Sequence, residues 1–475
     1  MIINKQTLPF DAPHASSSTP KQPSFWRRLL PESIRNLLTT ILTAYLILGI
    51  SGVIIAYGRG YRLNVKEKSV GTTGMLTTTS NPNGAFVIIN GKKYGATSTN
   101  ITLPPDWYDV RIEKEGYQPW GKKLRVQGEI LARADPVLFP KNPSLTAIST
   151  EGVGNPVLSP DGTKLAFTVL PPPEATISGL PAGTKAGLYV IDLVDKPLGI
   201  NRDARQIVST LTLDTSRANI SWSPDNVSLL IEVTNPTTGL PLTYLVDSNR
   251  LNQIVPPVQS KETLLATWKK EQATIDEEKL APLAPEFISI ATDSMHIMAF
   301  SPDELKILYE ATASATLPII ITPRVIGTNP TPENRDLIKD HIYVYDLKED
   351  RNYDLGDAKK YGIIAHQTYP SPTPTSKSKR PSTDLVLEAP PTPVNQSQGG
   401  WMPVQWLSTS NHLVVTAPGH IDIMEYDGGN RVTVYAGPFE SGFVAPWTNG
   451  SKLVVMTNLN PSASVDPNLY AVNIR

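Results

Sequence analysis

The sequence predicts a mainly β protein: one transmembrane helix near the N-terminus, a small β-sandwich, then a β-propeller of five or six blades. Three observations predict it. Leu37 to Tyr57 carries no charge, Gly74 to Phe139 alternates short apolar runs with turn residues, and from Leu158 a polar turn between two apolar runs recurs five times. Composition agrees, since 44 prolines in 475 residues is nearly twice the usual ~5% and the 18% charged residues fall below the usual ~25%. Turns and strands are favoured over long helices. With no cysteine, a disulfide framework, a thiolate zinc site, an iron–sulfur cluster and a cysteine nucleophile are all excluded. A net charge of -1 removes the pull that nonspecific nucleic-acid binding needs, so no nucleic-acid partner is expected.

The first element is residues 37–57, LLTTILTAYLILGISGVIIAY, long enough at about 1.5 Å per residue to cross a ~30 Å hydrocarbon core. A cleaved signal peptide has a shorter apolar region and a small-residue cleavage site, which is not convincing here. The lipid bilayer is therefore an expected partner through this segment. Basic residues are balanced on its two sides and do not orient it. The N-terminus is expected inside, because a first span with a short tail before it and a large body after it commonly acts as a signal anchor. Residues 1–36, rich in Pro, Ser, Thr and Lys, read as a disordered tail, and 58–73 as a linker.

In the second element, residues 74–140, Asn90-Gly91 between β-branched runs is a strong hairpin signal, because both central residues of a type I′ turn need positive φ. Pro82-Asn83-Gly84-Ala85, Leu103-Pro104-Pro105 and Gly116-Tyr117-Gln118-Pro119-Trp120 resemble the successive signatures of the PEGA domain, with Asn83 where that family has Glu. The resemblance implies an extracytoplasmic spacer or binding module. Gly116 to Lys122 also has the spacing of a phosphate loop. However, Lys123 stands where a Mg²⁺-binding Ser or Thr is required, and Tyr, Pro and Trp fill what should be an open cradle.

The third element, 141–475, carries the repeat. Leu158-Ser159-Pro160-Asp161-Gly162 leads to Leu165-Ala166-Phe167; Trp222-Ser223-Pro224-Asp225 leads to Leu229-Leu230-Ile231; Phe300-Ser301-Pro302-Asp303 leads to Ile307-Leu308-Tyr309. Decayed copies begin at Trp406 and Trp447. A second strand such as Tyr189-Val190-Ile191-Asp192 trails each copy, and a further run follows the first four, which makes four strands per repeat, the content of a propeller blade. The fifth copy lacks its outer strand, and Ser144 to Ile148 is expected to supply it. These copies resemble the TolB-type, WD-like propeller family. Two roles are open for Asp161, Asp225 and Asp303: a ring of carboxylates for a cation, or turn residues repeated because the blade is repeated. The second is favoured, since Pro160 suits a type I turn, Asp161 can bond nearby amides and Gly162 can take the left-handed position.

The copies are spaced more widely than the ~40–45 residues of such a blade, so insertions are expected. Residues 261–280 read as a helical one and 368–400, rich in Pro, Ser and Thr, as a disordered loop. Chemistry is sparse. There is no G-x-S-x-G elbow and no close pair of metal-ligating histidines; His341 opens a strand and His412 takes the place of Lys164 and Lys306, so both are expected to be exposed. The expectation is a non-enzymatic, membrane-anchored extracytoplasmic binding or scaffold protein with no cofactor and no metal. It would present its propeller to an envelope protein, peptide or polymer. The alternative is an envelope enzyme acting on glycan or peptide at the propeller mouth.

Overall fold

The computed structural model describes residues 32–58, 61–64, 69–128, 130–170, 185–195, 203–235, 237–362, 403–440, 443–459 and 466–475. The chain divides into two compact units, one ending at Thr73 and one running from Gly74 to Arg475. In the first unit, helix α1 (Glu32–Gly58) begins before the expected span. Residues 32–36 are thus helical and not tail; the rest of that expected tail lies outside the described residues. From Asn36 to Gly58 the mean hydropathy is 2.2, so the helix is long and apolar enough to cross a membrane. The Thr40 and Thr43 hydroxyls donate back to the carbonyls of Asn36 and Thr39 at 2.8 and 2.9 Å, which satisfies polar groups inside an apolar run. The expected plain linker contains a hairpin, in which β1 (Tyr61–Asn64) pairs with β2 (Ser69–Thr72).

The second unit opens with a sandwich of seven strands: β3 (Gly74–Thr78), β4 (Phe86–Ile89), β5 (Lys92–Ala96), β6 (Thr99–Leu103), β7 (Asp106–Glu113), β8 (Trp120–Val126) and β9 (Leu131–Ala134). They form two sheets in the orders β6-β3-β9 and β5-β4-β7-β8. Alternation buries Leu76, Val87, Ile89, Val110, Ile112 and Leu124 between the sheets. The β4–β5 turn has the expected conformation, with φ of 46° at Asn90 and 77° at Gly91.

After β10 (Leu145–Ala147), five sheets among the described residues succeed one another as blades of a propeller. Blade 1 is β11 (Val153–Leu158), β12 (Lys164–Val169), β13 (Gly187–Asp192) and β14 (Arg205–Ser209); blade 2 is β15 (Asn219–Trp222), β16 (Ser228–Thr234) and β17 (Pro241–Asp247). Helices α2 (Lys261–Leu280) and α3 (Pro285–Ser294) follow. Blade 3 is β18 (Met295–Phe300), β19 (Lys306–Ala311), β22 (His341–Asp346) and β23 (Arg351–Asp357), with a small ribbon of β20 (Ala315–Thr316) and β21 (Asp336–Leu337) inserted. Blade 4 is β24 (Val404–Trp406), β25 (His412–Ala417), β26 (His420–Glu425) and β27 (Val432–Ala436); blade 5 is β28 (Val444–Pro446), β29 (Lys452–Thr457) and β30 (Asn468–Asn473).

The fifth blade is completed from the other end of the ring. β10 pairs antiparallel with β30, Leu145 opposite Val472 and Ala147 opposite Tyr470, as the orphan run before the first copy predicted. Blade 2 departs from expectation. Its outer position holds only an isolated bridge from Tyr244 to Pro257, because Pro256 and Pro257 have no N–H to donate to a ladder. Helix α2 has the expected limits, capped by Ser260, whose side chain accepts from the Thr263 amide; α3 was not foreseen. The loop expected at 368–400 lies outside the described residues.

Shared cores join neighbouring blades. One joins Val157, Ala166 and Leu188 to Ile220, Trp222 and Leu229; others join blades 3 and 4, blades 4 and 5, and blades 5 and 1. Where a tryptophan leads the repeat it adds a staple. Trp222 Nε1 donates to the Val157 carbonyl at 3.0 Å, Trp406 Nε1 to that of Ala299 at 3.4 Å, and Trp447 Nε1 to Asp195 at 3.2 Å. Among the described residues no such core spans blades 2 and 3. There α3 packs Phe287 and Ala291 onto Ile307, Tyr309 and Tyr345 of blade 3, and Lys261 of α2 pairs with Glu232 of blade 2.

Candidate functional site

The repeated aspartates each serve their own turn. Asp161 Oδ1 accepts from the Ser159 hydroxyl at 2.6 Å and the Thr163 amide at 3.0 Å; Asp225 Oδ1 accepts from Ser223 and from the Val227 amide at 3.0 Å; Asp303 Oδ1 accepts from Ser301 and from the Leu305 amide at 3.2 Å. Burial pushes the Asp303 carboxyl up, but these donors and Lys306 outweigh it and hold it below the usual carboxylate range. Pro160, Pro224 and Pro302 each precede the aspartate. The residue after it is left-handed in every copy, including the decayed ones: Gly162, Asn226, Glu304, Ser410 and Gly450 have φ between 57° and 70°. Turns also stitch blade to blade, as in Asp161 N to Asn226 Oδ1 at 3.2 Å and Asp303 N to Ser410 Oγ at 3.0 Å. Among the described residues no group of three or more acidic or histidine side chains is placed to hold a metal ion.

The sandwich signature residues are likewise turn and strand-entry groups. The Pro82 carbonyl accepts from Ser80 at 2.7 Å. Gly84 has φ 77° and donates to the Thr97 carbonyl at 3.0 Å, and the buried Ala85 donates to the Thr97 hydroxyl at 3.0 Å.

The densest polar arrangement lies where the sandwich meets the ring. On β8, Trp120 Nε1 donates to Glu425, Gly121 N donates to Asn430 Oδ1 at 3.0 Å, and Lys122 Nζ bonds Glu425 Oε2 at 2.8 Å and Asp427 Oδ2. The blade 3 insertion joins in: Asn329 Nδ2 at 2.8 Å and the Thr331 hydroxyl also donate to Asp427 Oδ2. Asp427 has no exposed side-chain surface. Burial would lower the Lys122 ammonium pKa, but Glu425 and Asp427 outweigh it and raise it; burial would raise the Asp427 carboxyl, but Lys122 and its hydrogen-bond donors lower it. Both groups stay charged at neutral pH, a buried pair with its remaining bonds filled.

An apolar plug accompanies this lock. Phe139, the penultimate residue of the sandwich module, enters the core shared by blades 4 and 5 beside Leu407, Val414 and Val472. It meets His412 edge-on at 5.4 Å. The expectation that His412 is exposed is therefore wrong: Phe139 covers it, and burial followed by the Arg475 charge pushes its pKa down to about 4. His341 is half-buried and bonds Asp354 at 3.0 Å. Sequence reasoning missed the lock because its partners stand about 300 positions apart with no spacing rule to connect them. The one signal was Lys122 itself, noticed for a phosphate loop that it does not form.

Residues 73–140 match the family model of the PEGA domain. The sandwich is a PEGA domain. Strand β9 and the Phe139 plug both fall inside that match, so the PEGA domain brings its own attachment to the ring. No curated protein matches the chain in sequence. Among solved structures, TolB from Acinetobacter baumannii is 12% identical, covering 84% of this chain and 64% of its own, with a TM-score of 0.19. A TolB-type protein from Agrobacterium tumefaciens is 13% identical over 66% of this chain and 76% of its own, TM-score 0.19. The β-propeller domain of the Trilobed protease from Pyrococcus furiosus is 10% identical over 84% and 95%, TM-score 0.20. At such values these likenesses carry no functional argument; the propeller rests on the strand register described above.

Proposed function

We propose that this is a membrane-anchored, extracytoplasmic binding scaffold in which the PEGA domain and the propeller form one arm, presenting the ring to an envelope protein or peptide without catalysis. The observation that carries it is the lock: Lys122, Glu425, Asp427, Asn329 and Thr331 with the Phe139 plug join spacer to ring through a buried charge network. A spacer held in this way transmits position, which a flexible tether would not do. The apolar helix α1 supports anchoring, and the PEGA domain supports an extracytoplasmic body with the N-terminus inside.

The test uses the absence of native cysteine. S24C and S376C are labelled in intact cells with a membrane-impermeant maleimide. Reaction at position 376 only is expected; reaction at position 24 only would place the body inside and end this reading. Recovery of the same partners by the full chain and by a chain ending at residue 140 would remove the propeller from the binding role.

A further inference from the structure

One face of the PEGA domain has no part in the lock. The sheet β5-β4-β7-β8 turns Val87, Val110, Ile112 and Leu124 into the sandwich core, and the alternate residues form its other face. The register fixes which residues share that face: Phe86 stands opposite Glu113, Ile88 opposite both Arg111 and Lys93, and Trp107 opposite Arg125. The β4–β7 and β7–β8 ladders run without a register shift, so the alternation is unbroken from one aromatic to the other. Phe86 is 48% and Trp107 44% exposed, although rings of this size are usually covered. Trp107 lies six positions before Glu113 along β7, about 20 Å at the rise of a strand.

Each ring carries a cation. Lys93 Nζ lies 3.2 Å from the Phe86 ring centroid, and Arg125 Cζ lies 5.9 Å from that of Trp107. These contacts hold two long side chains against the face at its two ends. Between them Arg111 pairs with Glu113 in an ion pair open to solvent, and Lys123 stands opposite Asp109. An exposed pair contributes little, so its partners exchange readily for those of a ligand. Cations outnumber carboxylates here, which makes the face positive on a chain whose net charge is -1.

The pattern of charge selects the occupant. An anionic bilayer or a nucleic-acid backbone offers closely spaced negative charge, which Asp109 and Glu113 would repel. An acidic polysaccharide offers carboxylates at intervals for the lysines and arginines, hydroxyls that donate to the two acids, and apolar sugar faces that lie against aromatic rings. Such a chain, extended along β7, meets all three kinds of group in turn.

We propose that the outer face of this sheet, from Phe86 to Trp107, binds an extended acidic polysaccharide. The proposal is independent of what the ring binds. Its test titrates the full chain in neutral detergent with mannuronate oligosaccharides and follows the heat of binding. The hexasaccharide should bind several-fold more tightly than the disaccharide, which is too short to reach both rings, and neutral dextran should not bind. W107A and R125Q should each weaken the hexasaccharide several-fold, and W107F less than W107A, with thermal unfolding unchanged. K270Q, on the exposed side of α2, should leave binding as it is.

A hexasaccharide that does not bind, or that W107A and R125Q leave as tightly bound as before, overturns the proposal. So does dextran binding as well as mannuronate, since charge would then play no part. An oligothymidylate of equal charge that matches the hexasaccharide overturns it too, because the face would be reading charge alone.

Discussion

Blades 4 and 5 and the PEGA domain meet in one continuous interior, whereas blades 2 and 3 are bridged by two helices and an ion pair. At the first region Phe139 fills a shared apolar core, and the Lys122–Asp427 pair is buried with its bonds satisfied. At the second, α3 belongs to the core of blade 3 and α2 reaches blade 2 through Lys261 and Glu232. Repetition alone does not make the junctions of a ring equal; what matters is whether an apolar cluster crosses them.

The comparison can be broken most directly at the lock. D427A removes one of the two carboxylates that hold the Lys122 ammonium, leaving Glu425, and strands the Asn329 and Thr331 donors, so it should cost about 3–5 kcal/mol in chemical denaturation, the usual penalty for breaking a buried charge network. A loss under about 1 kcal/mol would mean that water already reaches the site and the region is no tighter than the helical bridge.

His412 gives the same region a pH signature. Its folded pKa near 4 lies below the unfolded ~6.5, so the stability it contributes is present above about pH 6.5 and is lost as pH falls toward 4. Over that window denaturation midpoints should drop by the equivalent of roughly 3 kcal/mol, and H412Q should flatten the drop. The depressed Asp427 carboxyl acts lower, its contribution being present above the unfolded ~3.9 and lost as pH falls through its folded value.

Replacing an inter-blade staple should have a smaller effect. W222F keeps the ring but removes the indole bond to the Val157 carbonyl, for about 1 kcal/mol measured by thermal or urea unfolding. At the helical bridge K261A should cost less than about 1 kcal/mol, because the pair with Glu232 is partly exposed. Hydrogen exchange sharpens the contrast without mutation. Amides of β17 and β18 should open at lower free energy than those of β25 and β29; equal protection would show that the helices seal blades 2 and 3 as well as a shared core does.

Much of this architecture could be read before any coordinates. The uncharged run gave α1, Asn90-Gly91 gave its hairpin, and the repeated turns gave a ring of five or six blades and even the strand before the first copy that closes the last blade. Each of these signals is local, or repeats at a fixed step. Failures came where a neighbour in space changed a residue's setting. His412 occupies a position where Lys164 and Lys306 stand in other blades, and it is buried because Phe139 arrives from another domain. The outer run of blade 2 looked like its siblings, but prolines at 256 and 257 reduced it to a single bridge.

The sequence by itself determined α1, α2, the Asn90-Gly91 hairpin and the repeated strands and turns, since apolar period, turn chemistry and left-handed positions are properties of a few adjacent residues. Only the tertiary structure decided that Lys122 faces Asp427, that Phe139 buries His412, and that among the described residues blades 2 and 3 share no core. Those pairings join residues far apart in the chain through burial and charge, which depend on where the folded backbone places them.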